Sequence, residues 1–239
     1  MSDSDKEDLE QLRFTPQYIV DLIYDTLECL HRVFTRNDIP YVIFGGTALG
    51  AERHGGLIPW DDDADLCIRA NDEQRLLSLA DTFSQYGFTL STEPFFGYRL
   101  YHSTLAKPRI LDQYPYPFVD IFLINDIGSR YEYTTEQARK LWPQEPLPYG
   151  CFDRLVDVPF GHLMLRGLSS TDAKRHLDDN YGKDWPYVAW REYDHYYYKG
   201  VSNACIKLHD ENERRPVQHS KFQRMLKPLT AVDNQNMCF

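Results

Sequence analysis

Apolar residues recur at helical spacing from Thr15 to Arg36, at Ile19, Leu22, Ile23, Leu27, Leu30 and Val33, and this predicts an amphipathic helix. Thr15-Pro16 offers an N-cap followed by proline at the first helical position, and Asn37-Asp38-Ile39-Pro40 ends the helix. Tyr41-Val42-Ile43-Phe44 is a short apolar strand that runs into a Gly45-Gly46 turn, after which Thr47 to His54 reads as a short helix. A second strand spans Asp63 to Ile68. Asn71-Asp72 can cap a helix over 72–86, with Leu76, Leu77, Leu79, Ala80 and Phe83 on its face. Phe88-Thr89-Leu90, Tyr98 to Tyr101 and Phe118 to Ile124 follow as strands, and the last carries a lone Asp120. The Pro- and Tyr-rich stretch 103–117 is a loop. Beyond it the pattern predicts a helix at 135–142, a hairpin at 153–165 and a capped helix at 170–181.

These patterns divide the chain into a disordered acidic lead-in (1–13), a folded domain (14–200) and a polar tail (201–239). No repeat or low-complexity block interrupts them. The 239 residues are 42% hydrophobic and 14% aromatic, enough for a real core. A net charge of −10 argues against a general nucleic-acid or anionic-membrane binder. It leaves room for a small phosphorylated substrate held by a local basic cluster and a metal. The five cysteines are scattered, with no C-x-x-C pair, so a zinc site or disulfide framework is not expected and a reducing compartment fits. The polar N-terminus does not resemble a signal peptide, and no apolar run approaches the roughly 18 residues of a membrane span. A cytoplasmic protein without an integral membrane segment is the expectation.

The chemistry concentrates in Gly46 to Asp65. A small-residue turn is followed by Arg53-His54, and then Asp61, Asp62, Asp63 and Asp65 run into the apolar Leu66-Cys67-Ile68. Carboxylates this dense repel one another and require solvent, protons or a cation. Alternation along a strand puts Asp61, Asp63 and Asp65 on one face. Asp62 falls between them and points elsewhere, in a turn or cap role. Asp120, on a neighbouring strand, adds a further carboxylate, as metal ligand or general base. Such a set suits Mg²⁺ or Mn²⁺, hard cations that bridge to substrate phosphates. Gly45, Gly46 and Thr47 can hold phosphate through backbone amides at a helix start. Arg53 can complement the negative charge, and His54 either does the same or hydrogen-bonds the loop. Trp60 and Cys67 read as packing residues. Arg99, Lys107 and Arg109 read as solvated surface, with diphosphate binding as the alternative. The aromatic run at 185–198 reads as packing, with a cage for a quaternary ammonium as the alternative.

Gly46 to Asp65 resembles the LicD-family signature G-T-x-L-G-x-x-R-H-x-G-x-I-P-W-D-D-D-x-D, which includes the fukutin-related branch, with every fixed position filled. Val119-Asp120-Ile121-Phe122 resembles the family's V-D-I-F block, and Phe160-Gly161 with Tyr181-Gly182 resembles its third. The likeness covers about residues 20–190. It departs at Leu123-Ile124-Asn125, where the family has Pro-Leu-Asp, and at Met164 to Leu168, away from the carboxylates. The resemblance implies an α+β, nucleotidyltransferase-like fold: a small mixed β-sheet flanked by helices, with a helical and irregular C-terminal part. It further implies transfer of a phospho-alcohol such as phosphocholine or ribitol phosphate from a CDP-linked donor to a hydroxyl of a glycan or other acceptor. Two rivals remain: transfer of a nucleoside monophosphate from an NTP on the same scaffold, and a non-catalytic nucleotide-binding module.

Overall fold

A computed structural model describes residues 12–109, 114–144, 146–190, 193–195, 197, 199–200, 205–209, 211 and 213–220. Most of the expected acidic lead-in and the end of the polar tail lie outside these residues. Six strands form the central sheet: β1 (Tyr41–Ile43), β2 (Ala64–Arg69), β3 (Phe88–Glu93), β4 (Gly97–His102), β5 (Val119–Asp126) and β6 (Tyr131–Tyr133). Their order is β1-β2-β5-β4-β3, with β6 against β5. β2 and β5 run parallel, in a register that sets Asp65 beside Asp120. The other pairings are antiparallel, so the sheet is mixed. The α+β expectation holds.

Strand alternation sorts the two faces. Leu66, Ile68, Val119 and Ile121 join a core with Ile19, Ile23, Leu27 and Leu30 of α1 (Gln17–Arg36). Cys67, Phe122 and Ile124 face the other way, into a core with Phe44, Tyr133 and Ala173. Ala173 belongs to α6 (Ser170–Tyr181), which Ser169 caps by accepting from the Asp172 amide. Asp65 and Asp120 share the face of Cys67 and Phe122 and lie near the starts of their strands. Between these elements come α2 (Gly45–His54), α3 (Glu73–Ser78), α4 (Ala80–Gln85), α5 (Glu136–Leu141) and the hairpin β7 (Val156–Phe160) with β8 (Leu163–Gly167).

Three local expectations are corrected. Thr15 does not cap α1: its hydroxyl donates to the Asp61 carbonyl at 2.7 Å, and Pro16 takes the N-cap position. Thr15 therefore braces the Asp-rich loop. The helix expected at 72–86 breaks at Leu79 into α3 and α4. Ser78 Oγ bonds back to the Arg75 carbonyl at 2.7 Å, a contact that loosens helices. Asp61 to Asp63 form a loop ahead of β2 rather than its first residues.

Described residues beyond the expected domain limits also pack. Leu12, Ile206 and Leu208 are buried in a third cluster with Trp60 and Leu177. Tyr24 donates to the Val217 carbonyl at 3.0 Å. Among the described residues, Cys29, Cys67, Cys151 and Cys205 are free thiols, and no helix is long and apolar enough to cross a membrane.

Gly50 fixes how closely α2 approaches the loop that leads to the carboxylates. A Cβ there would lie 2.6 Å from the Gly56 carbonyl oxygen, a backbone atom that cannot swing aside. Helix propensity alone favours Gly50→Ala by about 1 kcal/mol, whereas overpacking costs about 1–3 kcal/mol. The contact wins: urea unfolding of Gly50→Ala is expected to show a net loss of stability, and a gain would refute this packing.

Candidate active site

Asp63, Asp65 and Asp120 converge, with one oxygen from each within 4.8 Å of the others. Asp63 and Asp120 are buried, and Asp65 keeps partial access to solvent. Asp63 arrives from the loop, Asp65 from β2 and Asp120 from β5. Burial is the largest influence on each and raises its pKa. Repulsion from Asp63 and Asp120 then pushes Asp65 well above the carboxylate range. Burial lifts Asp120 to about 6 even though Arg99 opposes it. Asp63 is raised as well, with relief from His195. Three hard oxygen donors, crowded and reluctant to ionise together, fit a divalent cation.

Asp61 joins the crowd from the loop. Its Oδ1 accepts from the Asp62 amide at 3.2 Å. Burial, then repulsion from Asp63 and Asp62, raises it well above the usual range. Neither close group of three donors among the described residues includes it. The second such group is Asp62, Asp63 and His195. Asp62 does turn away from the aligned set, yet not into a cap: it accepts from the Tyr116 hydroxyl at 3.1 Å and from the His195 amide at 3.2 Å.

The start of α2 abuts the cluster. A Cβ on Gly46 would sit 3.1 Å from Asp61 Oδ2, and one on Gly45 would sit 3.3 Å from Asp65 Oδ2. Gly45 also has φ +56°, which disfavours other residues. Small residues thus bring the positive end of a helix against the carboxylates. Its amides are not all turned to the crevice, since Gly45 donates to His176 Nε2 at 3.1 Å. Burial holds His176 down at about 4, so it stays neutral as the acceptor. Thr47 Oγ1 accepts from the Asp65 amide at 2.7 Å, tying α2 to β2.

Arg53 and His54 stand behind this front. Arg53 donates to the carbonyls of Trp185 and Val188, at 3.0 and 2.6 Å, and through Nε to His54 at 3.0 Å. Burial lowers its pKa to about 10, while Tyr181 and Asp61 pull it up. Burial, then Arg53, pushes His54 down to about 3, and its ring packs edge-on to Trp60.

Arg99 and Arg109 are not solvated surface. Arg99 grips Asp120 with a fork, Nε to Oδ1 at 2.7 Å and Nη2 to Oδ2 at 3.3 Å, and also reaches Glu93 at 2.9 Å. The β4–β5 register makes Arg99 the partner of Asp120. Arg109 is 1% exposed and donates to the His195 carbonyl at 3.2 Å. His195 is the functional candidate that sequence reasoning missed. It lay hidden in the aromatic run, and only its histidine identity set it apart there.

Comparison with known families decides the affiliation. Residues 38–167, just over half of the chain, match the family model "LicD/FKTN/FKRP, nucleotidyltransferase domain". The chain belongs to the LicD family. Its relatives include an uncharacterized protein of Rickettsia prowazekii, 34% identical over 51% of this chain and 40% of that one. The lipopolysaccharide cholinephosphotransferase LicD of Haemophilus influenzae is 37% identical over 30% of this chain and 26% of that one. The human ribitol 5-phosphate transferase FKRP is 38% identical over 27% of this chain and 13% of that one. The chain spans less than half the length of each of these relatives. Among solved structures, ANT(2″)-Ia with adenylyl-2″-tobramycin aligns over 66% of this chain and 77% of that one, at 18% identity and a TM-score of 0.39, which is too low to carry an argument.

The raised carboxylates give a signed prediction for the metal-free LicD-family fold. A carboxyl whose folded pKa is raised binds more protons folded than unfolded, so stability falls as pH rises above about 4, and for Asp120 the loss is complete beyond about 6. Neutralising Asp65 removes that loss. In the presence of a chelator at pH 7.5, Asp65→Asn is expected to be more stable than the parent, with a higher urea midpoint, because burial and repulsion from Asp63 and Asp120 disfavour the Asp65 carboxylate. The difference should shrink near pH 4. A less stable variant at pH 7.5 would contradict this electrostatic account.

Proposed function

We propose that this chain is a divalent-metal-dependent transferase that moves a phospho-alcohol group, phosphocholine-like, from a CDP-linked donor to a hydroxyl of a glycan or other acceptor. The observation that carries the reading is the convergence of Asp63, Asp65 and Asp120 at the positive end of α2. Membership of a family that includes a cholinephosphotransferase and a ribitol 5-phosphate transferase supports it.

In this reading Asp63, Asp65 and Asp120 hold Mg²⁺ or Mn²⁺, with Asp61 as the adjoining carboxylate. The bound ion would neutralise charge on the transferring phosphoryl group and the leaving nucleotide. The amides of Gly46 and Thr47 in the first turn of α2 would be the donors to the donor's phosphates, and the positive φ of Gly45 sets the start of that turn. Arg53 lends positive charge from behind Asp61, and His54 holds Arg53 in place. Asp120 would serve either as a ligand of the ion or as the base that accepts the acceptor hydroxyl's proton. The Arg99 fork fixes the direction of its two oxygens.

Incubation with Mg²⁺ or Mn²⁺ and CDP-choline, CDP-ribitol or each NTP tests the reading by its products. Release of CMP from a CDP-alcohol is expected. Asp63→Asn and Asp65→Asn should each lower that rate about 10³-fold, a loss of roughly 4 kcal/mol of transition-state stabilisation. Pyrophosphate from an NTP, with no CMP from any CDP-alcohol, would favour nucleotidyl transfer and overturn the proposal. Nucleotide binding without either product would leave a binding module.

A further inference from the structure

His195 lies beyond residues 38–167 of the family match, yet its side chain reaches into the carboxylate cluster. Its Nδ1 stands 2.8 Å from Asp62 Oδ1 and its Nε2 3.2 Å from Asp63 Oδ2. Its backbone amide donates to Asp62 Oδ2 at 3.2 Å. One histidine therefore engages both members of the Asp62-Asp63 pair, and Asp63 is the donor shared by the two close groups of three.

The placement is built rather than incidental. The buried Arg109 donates to the His195 carbonyl at 3.2 Å. The imidazole meets Phe118 edge-on at 5.8 Å and Tyr193 at 5.0 Å. Phe118 also lies under Arg99, 4.2 Å from its guanidinium carbon, and Arg99 is the residue that grips Asp120. On the far side, Asp194 accepts from the Tyr197 amide at 2.9 Å, and the short pairing of Tyr193-Asp194 with Lys199-Gly200 folds this segment back on itself. A strap from the C-terminal part of the chain thus presents one ring to the loop that carries Asp61 to Asp63.

We infer that His195 is a positioning residue: through Nε2 it fixes the rotamer of Asp63, so that the Asp63 carboxylate is aimed at the point shared with Asp65 and Asp120. The inference rests on the metal-dependent reading above. Asp63 comes from a loop with no strand pairing to set it, and His195 shares the hold on its carboxylate with a side-chain hydrogen bond from neighbouring Asp61. Asp65 is set by β2, and Asp120 by β5 and the Arg99 fork. A carboxylate ligand left to rotate loses affinity for its ion, and removal of such a supporting partner typically costs 10–100-fold.

The test is Mn²⁺ affinity, followed by the paramagnetic signal of the free ion, on the full chain and three variants whose unfolding midpoints are measured in parallel. A glutamine amide extends about as far as Nε2, whereas an asparagine amide ends near Nδ1. His195→Ala and His195→Asn are expected to weaken Mn²⁺ binding about tenfold or more, and His195→Gln to restore most of it, with all three proteins folded. Unchanged or tighter binding by His195→Ala would overturn the positioning role while leaving the metal site standing. Recovery in His195→Asn rather than His195→Gln would overturn it too, since the histidine would then act through Asp62. Absence of saturable Mn²⁺ binding in the parent chain would instead overturn the metal-dependent reading itself.

Discussion

Asp65 and Asp120 sit side by side on parallel strands, Asp63 leans in from the preceding loop, and Asp61 stands next to it. Two like charges about 4 Å apart cost about 1 kcal/mol in water and about 4 kcal/mol at the effective dielectric of a protein. Much of the surrounding structure answers that repulsion. The Arg99 fork faces Asp120 from β4. The start of α2 brings its positive end to Asp61 and Asp65, and a Cβ on Gly46 or Gly45 would crowd their oxygens at 3.1 and 3.3 Å. His195 spans Asp62 and Asp63. Burial alone would depress the His195 pKa, but Asp63 and Asp62 outweigh it and lift it to about 10, so the imidazolium is one of the resident countercharges. These devices offset the repulsion in part, and burial, the largest influence on each carboxyl, still disfavours its charged form. A site that remains electrostatically unfinished is the physical basis for assigning a cation to it.

Much of this was legible in the sequence because it is periodic or local. Alternation through Ala64 to Arg69 and Val119 to Asp126 separates core residues from site residues. That separation brings Asp65 and Asp120 together once the two strands pair. The helix after β1 was equally plain, although it takes in both glycines and runs Gly45–His54 rather than starting at Thr47. What could not be read depends on contacts across long sequence separations. Thr15 looks like a helix cap, and becomes a loop brace only because the Asp61 carbonyl comes within reach. Arg99 looks like a surface cation until the β4–β5 register places it opposite Asp120. Asp62 looks like a turn residue until Tyr116 and His195 close over it. Asp61 and Asp63 lie outside the strand alternation, because the strand starts one residue after Asp63.

The division of labour along the chain follows from the same geometry. The stretch shared with the LicD family supplies the sheet, α2, the Asp-rich loop and Asp120. Residues after it contribute the capping parts: His176 and Tyr181 near the Gly45 turn, the carbonyls of Trp185 and Val188 that hold Arg53, and His195. The carboxylates thus come from a motif common to the family, and the groups that orient them come partly from a segment outside it.

The central claim, that a divalent ion completes this crowd of carboxylates, is tested most directly by calorimetric titration of the chain with Mn²⁺ near pH 6 in two buffers of different ionisation enthalpy. Binding to carboxyls that hold protons must release them. The account predicts saturable binding whose apparent heat differs between the buffers in the sense of proton release. No saturable binding, or saturable binding with identical heats and no proton released, would contradict it.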